Sequence, residues 1–286
     1  MGPGGPQRMG PPGPGGAAPA KSPIPGVKYL VAVASGKGGV GKTTVAVNLA
    51  IAFQRLGARV GLLDADVYGP NVPLMFGTNE EPRATSERTI IPVQAYGIKL
   101  ISMGLLSPGD KPMIWRGPML HSVIQQFLRS VEWGDLDYLV VDLPPGTGDV
   151  QLTLIQTVPL SGAVVVTTPS VVALADVRKA IEMFRQVNVE ILGVIENMSS
   201  FACPHCGKQV DVFGHGEGRK TAEAFGVPML GEIEIDPRIR IGGDTGKPAA
   251  SLGENAPEAK SIYATARAVM ARLAEVGDTA PTVEIL

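Results

Sequence analysis

The stretch SGKGGVGKTT, from Ser35 to Thr44, limits the possible folds more than any other part of the chain. It contains the pattern G-x-x-x-x-G-K-[ST], which forms a phosphate-binding loop when a strand precedes it and a helix follows it. Both neighbours fit, because the apolar run KYLVAVAS comes before the loop and KTTVAVNLAIAFQRLG, with apolar residues at helical spacing, comes after it. The sequence therefore predicts a buried strand, a phosphate-binding loop and an amphipathic helix in direct succession.

The residues of this loop have distinct predicted parts in nucleotide binding. The glycines let backbone N–H groups turn toward the β- and γ-phosphates, and the positive end of the following helix points at the same oxygens. Lys42 supplies a point charge, and the hydroxyl of Thr43 can ligate Mg²⁺. The predicted nucleotide-binding residues of the loop are Gly36, Lys37, Gly38, Gly39, Val40, Gly41, Lys42, Thr43 and Thr44.

The loop carries a second lysine, Lys37, which lies ahead of the glycines that wrap the phosphates. From this position its side chain need not point into its own site. Loop chemistry alone leaves two alternatives. The residue is either a solvated surface lysine or a cation that reaches the phosphates of a facing subunit, as an arginine finger supplied in trans does in other systems.

Apolar segments and helix-patterned segments alternate along the rest of the chain. The predicted strands after the loop are RVGLLDAD, YLVVDLPPG, AVVVTTP, EILGVIENM and PMLGEIEI, and the predicted closing helix is AKSIYATARAVMARLAEVG. This alternation predicts an α/β fold with a mostly parallel twisted sheet and helices on both faces. The segment TIIPVQAYGIKLISM differs, and we expect an antiparallel hairpin at one edge of the sheet.

Composition separates a tail from the folded part. Residues 1–26 are rich in glycine and proline and have little to bury, so we expect a disordered tail followed by one domain over residues 27–286. The net charge of −2 gives no global basic field for nucleic acid or a membrane surface. No apolar run reaches the length of a membrane span, and no secretory or mitochondrial targeting pattern opens the sequence. We therefore expect a cytoplasmic protein.

Carboxylates follow two predicted strands, at the strand ends where open α/β sheets bind ligands. We assign Asp66 to positioning the attacking water and Asp64 to supporting the Mg²⁺ shell, although either could instead cap the following loop. In YLVVDLPPGTGD, Asp142 ends an apolar strand and is predicted to hold Mg²⁺ through water. Gly146 is predicted to offer its N–H to a γ-phosphate, in a PPGTG loop suited to moving when that phosphate leaves.

Asn197, in IENMS, ends a late predicted strand and can hydrogen-bond an adenine edge. A guanine-binding protein is expected to carry Asn-Lys-x-Asp, which is absent at this position, so ATP is favoured over GTP. The IDPRI turn, from Asp236 to Ile239, is a weaker candidate for backbone contacts to the base.

The two cysteines form a C-x-x-C pair in FACPHCGKQVD. The turn between Cys203 and Cys206 lets two thiolates converge on one metal, but a complete site usually takes four ligands. The alternatives are a redox pair, a zinc site completed by His205 or His215, a turn without metal, and a site shared by two subunits, which we favour. A twofold axis would bring two such pairs together. Four thiolates can hold a [4Fe–4S] cluster or zinc, and ligand identity alone does not choose between them.

The segment KGGVGKTT resembles the deviant Walker A loop of dimeric ATPases related to nitrogenase iron protein and to the Min and Par positioning ATPases. This resemblance implies a SIMIBI-type P-loop NTPase architecture and a Lys37 that crosses a nucleotide sandwich dimer. Together with the loop, the motifs DADVYGPNVP, WRGPM, DLPPGTGD and CPHCG resemble the Mrp/ApbC family of iron–sulfur carrier ATPases. That family resemblance implies a homodimer that binds a labile [4Fe–4S] cluster at Cys203 and Cys206 and passes it to apo-proteins with ATP turnover. It leaves the role of Arg116, in WRGPM, open.

The sequence thus predicts an ATP-dependent iron–sulfur cluster carrier or scaffold with ATP, Mg²⁺ and a [4Fe–4S] cluster as its ligands. The main alternative is a positioning ATPase on a membrane or DNA, which should show a basic amphipathic helix or a basic patch. The chain instead ends EVGDTAPTVEIL, which is acidic. ATP-driven electron transfer is a third alternative, but nitrogenase iron protein places its cluster cysteines singly and far apart.

Overall fold

The computed structural model describes residues 21–85, 89–106 and 117–279. Its strands are β1 (Val27–Ser35), β2 (Val60–Asp64), β3 (Arg83–Ala84), β4 (Ile90–Ile91), β5 (Val93–Ala95), β6 (Ile98–Ser102), β7 (Leu136–Asp142), β8 (Gly162–Thr167), β9 (Ile191–Ala202), β10 (Gln209–Val210) and β11 (Met229–Ile235). The central sheet has the order β10-β9-β8-β1-β7-β2-β6-β5, with β11 also paired to β9, and β3 pairs with β4 separately.

The sheet is parallel except at two short strands. Strand β5 pairs antiparallel with β6 and β10 pairs antiparallel with β9, whereas the other pairings of the central sheet are parallel. The first of these confirms the predicted hairpin at the sheet edge. Strand β1 lies between β7 and β8, and Val33 is in register with Asp142. The phosphate loop and Asp142 therefore leave the sheet side by side.

The helices are α1 (Lys42–Arg55), α2 (Val72–Phe76), α3 (Met103–Leu106), α4 (Gly117–Arg129), α5 (Asp149–Thr157), α6 (Val171–Gln186), α7 (Glu217–Ala224), α8 (Pro237–Asp244) and α9 (Lys260–Thr279). They cover both faces of the sheet, as predicted. Along β1, Val31 and Val33 join the core beneath α1 and α9, whereas Leu30 and Ala32 join the core beneath α4, α5 and α6. None of the helices in the described ranges combines the length and the apolar character that crossing a membrane requires.

Helix α1 differs from the amphipathic helix that the sequence predicts. All its residues from Val45 to Phe53 are buried, including those outside the expected apolar face. The helix packs on the sheet on one side and on α9 on the other. A helix that is apolar all round is typical of such an enclosed position.

Contacts with the domain begin before residue 27, where the sequence predicts that the domain starts. Ile24 is buried, and the guanidinium of Arg129 donates to the carbonyl oxygens of Ser22 at 2.8 Å and Pro23 at 3.0 Å. These contacts were not foreseen, because the arginine that makes them lies more than a hundred positions away. Residues 1–20 of the predicted tail are outside the described residues.

Candidate functional site

The phosphate loop depends on glycine at two positions for different reasons. Gly41 has a φ of +79°, a conformation that residues with side chains rarely adopt, and a Cβ there would lie 2.2 Å from Nδ2 of Asn197. At Gly36 a Cβ would lie 2.2 Å from the backbone carbonyl carbon of Asp176 on α6. The loop is therefore packed tightly against β9 and α6, which fixes its shape.

The loop encloses a cavity of about 230 Å³, which is large enough for phosphate groups. The residues that line it are Ser35, Lys37, Gly38, Gly39, Gly41, Lys42, Thr43, Thr44, Asp66, Asn71 and Pro145. Most of the loop residues predicted to bind nucleotide thus border one space. The partly buried Lys37 is among them, and within the described part of the chain it takes part in no ion pair.

Three side chains meet beside this cavity in a buried cluster. Nζ of Lys42 donates to Oδ1 of Asp142 at 2.6 Å, and Oγ1 of Thr43 donates to Oδ2 of Asp142 at 2.8 Å. Asp142 is fully buried and Lys42 is 6% exposed. Burial raises the pKa of Asp142, and the Lys42 ammonium opposes that rise. In this structure Asp142 is therefore bonded to both Lys42 and Thr43. Thr43 and Asp142 are the residues predicted to hold magnesium.

The two aspartates at the end of β2, Asp64 within the strand and Asp66 just after it, have different environments. Asp64 is fully buried, and its carboxylate accepts hydrogen bonds from Oγ of Ser102 at 2.8 Å and the N–H of Asp66 at 3.1 Å. Burial, followed by the nearby Asp142, raises the pKa of Asp64 to about 8. This geometry matches the alternative in which Asp64 holds the following loop.

Asp66 lies nearer to the solvent than Asp64. Its Oδ2 is 3.8 Å from Nζ of Lys42, and the residue borders both the loop cavity and a cavity of about 650 Å³ that Tyr68 and Pro144 also line. Burial raises the pKa of Asp66 and Lys42 opposes that rise. Of the two carboxylates, Asp66 is the one that a water molecule beside the phosphates could reach.

The loop after β7 is braced by its own hydrogen bonds. The N–H of Gly146, predicted to serve a γ-phosphate, donates here to the carbonyl oxygen of Ser35 at 3.0 Å. Nε2 of Gln151 donates to the carbonyl oxygen of Pro144 at 2.7 Å, and Oε1 of this fully buried glutamine has no hydrogen-bond partner among the described residues. A γ-phosphate would have to displace the Ser35 carbonyl from Gly146.

A third cavity, of about 470 Å³, lies next to the loop and is lined mainly by apolar groups. It is bordered by Gly41, Thr43, Thr44, Asn71, Leu74, Met75, Asn197, Met198, Phe213, Glu234, Ile235, Asp236, Ile239, Arg240, Gly243 and Asp244. Its volume and its position beyond the phosphate loop suit a nucleoside.

Asn197 and the IDPRI segment both border this third cavity. Asn197 also holds the loop, because its Nδ2 donates to the carbonyl oxygen of Val40 at 2.9 Å. The IDPRI segment is a helix start rather than a turn: the Asp236 side chain accepts from the N–H of Arg238 at 2.8 Å and caps α8, with Pro237 as its first residue.

The two thiols lie where β9 runs out of the sheet. Cys203 and Cys206 lie in the turn between β9 and β10. This turn is closed by hydrogen bonds from Gly207 N–H to the Cys203 carbonyl at 2.8 Å and from Cys203 N–H to the Lys208 carbonyl at 3.0 Å. Hydrogen bonds from the backbone of His205 and Cys206 to the thiolate, and then from the Cys206 thiol, lower the pKa of Cys203. The turn thus favours the thiolate, the form that binds metals.

The described residues do not complete a metal site around these thiols. No group of three or more His, Cys, Asp or Glu side chains within the described ranges is arranged to hold a metal ion. His215, one of the predicted zinc ligands, instead lies 3.8 Å from a carboxylate oxygen of Asp211. Among the described residues, the two thiols are therefore placed together without a third side chain of these types arranged beside them.

The fold and the site define a class of protein. A parallel sheet with β1 at its centre, a glycine-rich loop that opens helix α1, and a buried lysine–carboxylate–hydroxyl cluster together define a P-loop nucleotide-binding protein. The chain belongs to the ParA-type family of NUBPL iron-transfer P-loop NTPases, which matches residues 26–270.

Individual relatives are similar over most of the chain. The iron–sulfur cluster carrier protein of Aquifex aeolicus is 54% identical over 247 residues, which are 85% of this chain and 68% of the relative. The Arabidopsis thaliana iron–sulfur protein required for NADH dehydrogenase, mitochondrial, is 48% identical over 88% of this chain and 80% of its own length. A solved nucleotide-binding protein from Archaeoglobus fulgidus, in complex with ADP, is 39% identical with a TM-score of 0.70 and covers 78% of this chain and 88% of that chain.

Sequence patterns did not point to several residues that border or brace these sites. These residues are Ser102, Gln151, Met198 and Phe213. Ser102 contacts Asp64 across 38 positions of sequence, and Met198 lies at an irregular point of the backbone. Gln151 contacts Pro144 only seven positions away, but neither residue belongs to a pattern that predicts the contact. Met198 gave the nearest available signal, because it directly follows Asn197 at the end of the predicted strand.

Proposed function

We propose that this chain is an ATP-dependent iron–sulfur cluster carrier that binds a [4Fe–4S] cluster between two copies of itself and transfers it to apo-proteins. The observation that carries the proposal is the thiol pair: two cysteines lie in one turn that lowers the pKa of Cys203, with no further ligand arranged around them among the described residues. A second copy supplies the missing two thiolates. The names of the relatives support the same cargo.

Lys42 and the loop amides bind the nucleotide phosphates in this proposal. The arriving phosphates take over the ammonium of Lys42, which now pairs with Asp142. The hydroxyl of Thr43 and the carboxylate of Asp142 are hard oxygen ligands that fit Mg²⁺, which supplies positive charge to the phosphates when bound. The base occupies the cavity beside Asn197, and we favour adenine.

Hydrolysis requires a residue that orients water and a cation that stabilises the transferred phosphoryl group. Asp66 takes the first part, because it borders the loop cavity and remains nearer to solvent than Asp64. Lys37 takes the second part from the facing copy, and a complete catalytic site therefore exists only in the dimer. Nucleotide turnover then changes how the two copies, and with them the four thiolates, are held together.

Zinc can replace the cluster at four thiolates, so the cargo needs a direct test. Full-length protein is reconstituted anaerobically with iron and sulfide, and cluster content is followed by absorption and by iron and sulfide analysis. We expect a [4Fe–4S] spectrum at one cluster per dimer and activation of an apo-acceptor enzyme when the loaded protein is mixed with it and ATP. Cys203→Ser and Cys206→Ser should each abolish cluster binding while ADP binding stays intact.

Two outcomes contradict the proposal. If both cysteine variants still bind the cluster, the thiol pair is not the site. If the loaded protein is a strict monomer at full cluster content, the shared site is wrong. Sedimentation with liposomes or DNA in the presence of ATP tests the positioning alternative, and we expect the protein to stay in the supernatant. We place its action in the cytoplasm, although the Arabidopsis relative is named as mitochondrial, and subcellular fractionation checks this location.

A further inference from the structure

The segment that carries the thiols, from Ala202 to His215, is exposed at every residue except the partly buried Cys203. One of its residues nevertheless borders the cavity beside the phosphate loop. Phe213 is 48% exposed and lines that cavity together with Asn197 and Met198 of β9. The thiol segment and the phosphate loop therefore both form part of the wall of this cavity.

From this shared wall we infer that Phe213 stacks on the base of the bound nucleotide and that nucleotide binding thereby fixes the segment that carries Cys203 and Cys206. The inference rests on the proposed function, because it takes the cavity of about 470 Å³ to be the base site.

The chemistry of the cavity supports a stacking role. Phe213 is the one aromatic residue among the described residues that line it, and the apolar remainder is aliphatic or methionine, such as Leu74 and Ile239. Flat aromatic faces stack on bases with little dependence on base identity, whereas aliphatic side chains offer no such face. A partly exposed phenylalanine at a cavity mouth gains more from a purine than from water.

The thiol segment is held to the rest of the domain by few contacts, so one added contact restrains its motion strongly. Only Gln209 and Val210 pair with β9, through Ala202 and Phe201. The C-x-x-C turn is closed by its own hydrogen bonds, but after Val210 the described backbone hydrogen bonds within the segment are local and long, such as the one from Gly214 N–H to the Asp211 carbonyl at 3.3 Å. A base that contacts Phe213 therefore tethers a part of the chain that is otherwise loosely attached.

Residues on both sides of the two thiols border the same cavity. Met198 precedes Cys203 by five residues and Phe213 follows Cys206 by seven. Met198 also has a φ of +58°, an unfavourable conformation for a residue with a side chain, which marks an irregularity in β9 between the cavity and the thiols. A ligand in the cavity thus contacts the chain on both sides of the C-x-x-C turn. Its binding therefore affects the distance between the two thiols and their exposure to solvent.

The test uses the full-length, reduced and metal-free protein with ADP as the probe. Calorimetry gives the ADP affinity, and mass spectrometry gives the rate at which iodoacetamide labels Cys203 and Cys206 without ADP and at saturating ADP. In the unsubstituted protein we expect ADP to slow labelling at least about threefold, because bound ADP restrains the local opening of the thiol segment. Phe213→Ala should weaken ADP binding about tenfold, and saturating ADP should no longer slow its labelling.

Two further variants make the result specific. Phe213→Tyr keeps an aromatic face and should restore both the affinity and the ADP effect on labelling. Val212→Ala removes an apolar side chain that is 52% exposed but does not line the cavity, and it should behave as the unsubstituted protein.

The outcomes separate this inference from the proposed function. If ADP still slows labelling of Phe213→Ala as it does in the unsubstituted protein, the inference is overturned whatever the ADP affinity. If Val212→Ala loses the effect equally, the contact is a general property of the exposed apolar surface and the inference again fails. If the unsubstituted protein binds no ADP, nucleotide binding itself is wrong and the proposed function falls with it.

Discussion

Asn197 donates from Nδ2 to the carbonyl oxygen of Val40 at 2.9 Å, which joins the middle of β9 to the phosphate loop across 157 positions of sequence. The same side chain leaves no room for a Cβ at Gly41. Strand β9 continues from this contact to the thiols. The phosphate loop is thus supported by the strand that leads to the cysteines.

Substituting Asn197 with alanine should weaken the loop rather than only the recognition of the base. The Val40 carbonyl loses its buried donor, which costs about 1–3 kcal/mol of stability. We expect Asn197→Ala to bind ADP, GDP and inorganic tripolyphosphate all more weakly, as measured by calorimetry. A loss confined to ADP, with tripolyphosphate unaffected, would instead show that the amide serves only as an adenine contact. The exposed Asn255→Ala is the control and should match the unsubstituted protein.

Lys37 can be tested by mixing two inactive proteins. Lys37→Ala and Asp66→Asn should each hydrolyse ATP at a small fraction of the normal rate. In a mixed dimer, the Asp66 of one copy and the Lys37 of the other complete one of the two sites. With half of the dimers mixed, an equimolar mixture should recover about a quarter of the normal rate.

The control for this experiment mixes Lys42→Ala with Asp66→Asn. Both of these residues act on the nucleotide of their own chain, so no complete site forms and no activity should return. Equal behaviour of the two mixtures would mean that Lys37 does not act across the dimer.

Removal of Mg²⁺ should weaken nucleotide binding through Asp142. When phosphates draw Lys42 away, this fully buried carboxylate loses its 2.6 Å ion pair and needs another positive partner. We expect EDTA to weaken ADP binding at least about tenfold, because an unpaired buried charge is costly. Asp142→Asn should reduce this dependence on Mg²⁺. Asp137→Asn, on the same strand but paired with Arg59 at the surface, should leave it unchanged.

Glu196 should make the stability of the protein depend on pH. It is fully buried, its Oε2 accepts from the N–H of Gly218 at 2.6 Å, and Oε1 has no partner among the described residues. Burial raises its pKa, with a further rise from Glu232, while the hydrogen bond from Gly218 and the charges of His215 and Arg219 oppose the shift.

The direction of the pH effect follows from this raised pKa. The folded state keeps the proton on Glu196 above the pH at which an unfolded glutamate, with a pKa of about 4.3, has lost it. The contribution of Glu196 to stability is therefore fully present below the unfolded-state pKa and is lost as the pH rises through the folded-state pKa. Urea unfolding from pH 4 to 8 should show the unsubstituted protein losing stability relative to Glu196→Gln. The exposed Glu223→Gln should give a curve parallel to that of the unsubstituted protein, and a flat difference for Glu196→Gln would refute the prediction.

Local patterns were sufficient for the strand–loop–helix unit and for the order of later strands, because apolar runs and glycine spacing act within short stretches of chain. They also identified the C-x-x-C turn. They did not reveal that α1 is buried on every side, since this depends on α9 lying over it more than two hundred positions later. Nor could they reveal that Phe213 borders a cavity, because its segment has no periodic pattern and is positioned by the end of β9.

The openness of the C-x-x-C turn has a practical consequence. Cys206 is exposed, and the lowered pKa of Cys203 enriches the thiolate, which is the form that oxygen and peroxide attack. Protein prepared in air is therefore expected to contain a disulfide between these two cysteines. It should then bind no iron until a reductant is added. Air sensitivity would thus be a property of the intact molecule rather than a sign of damage.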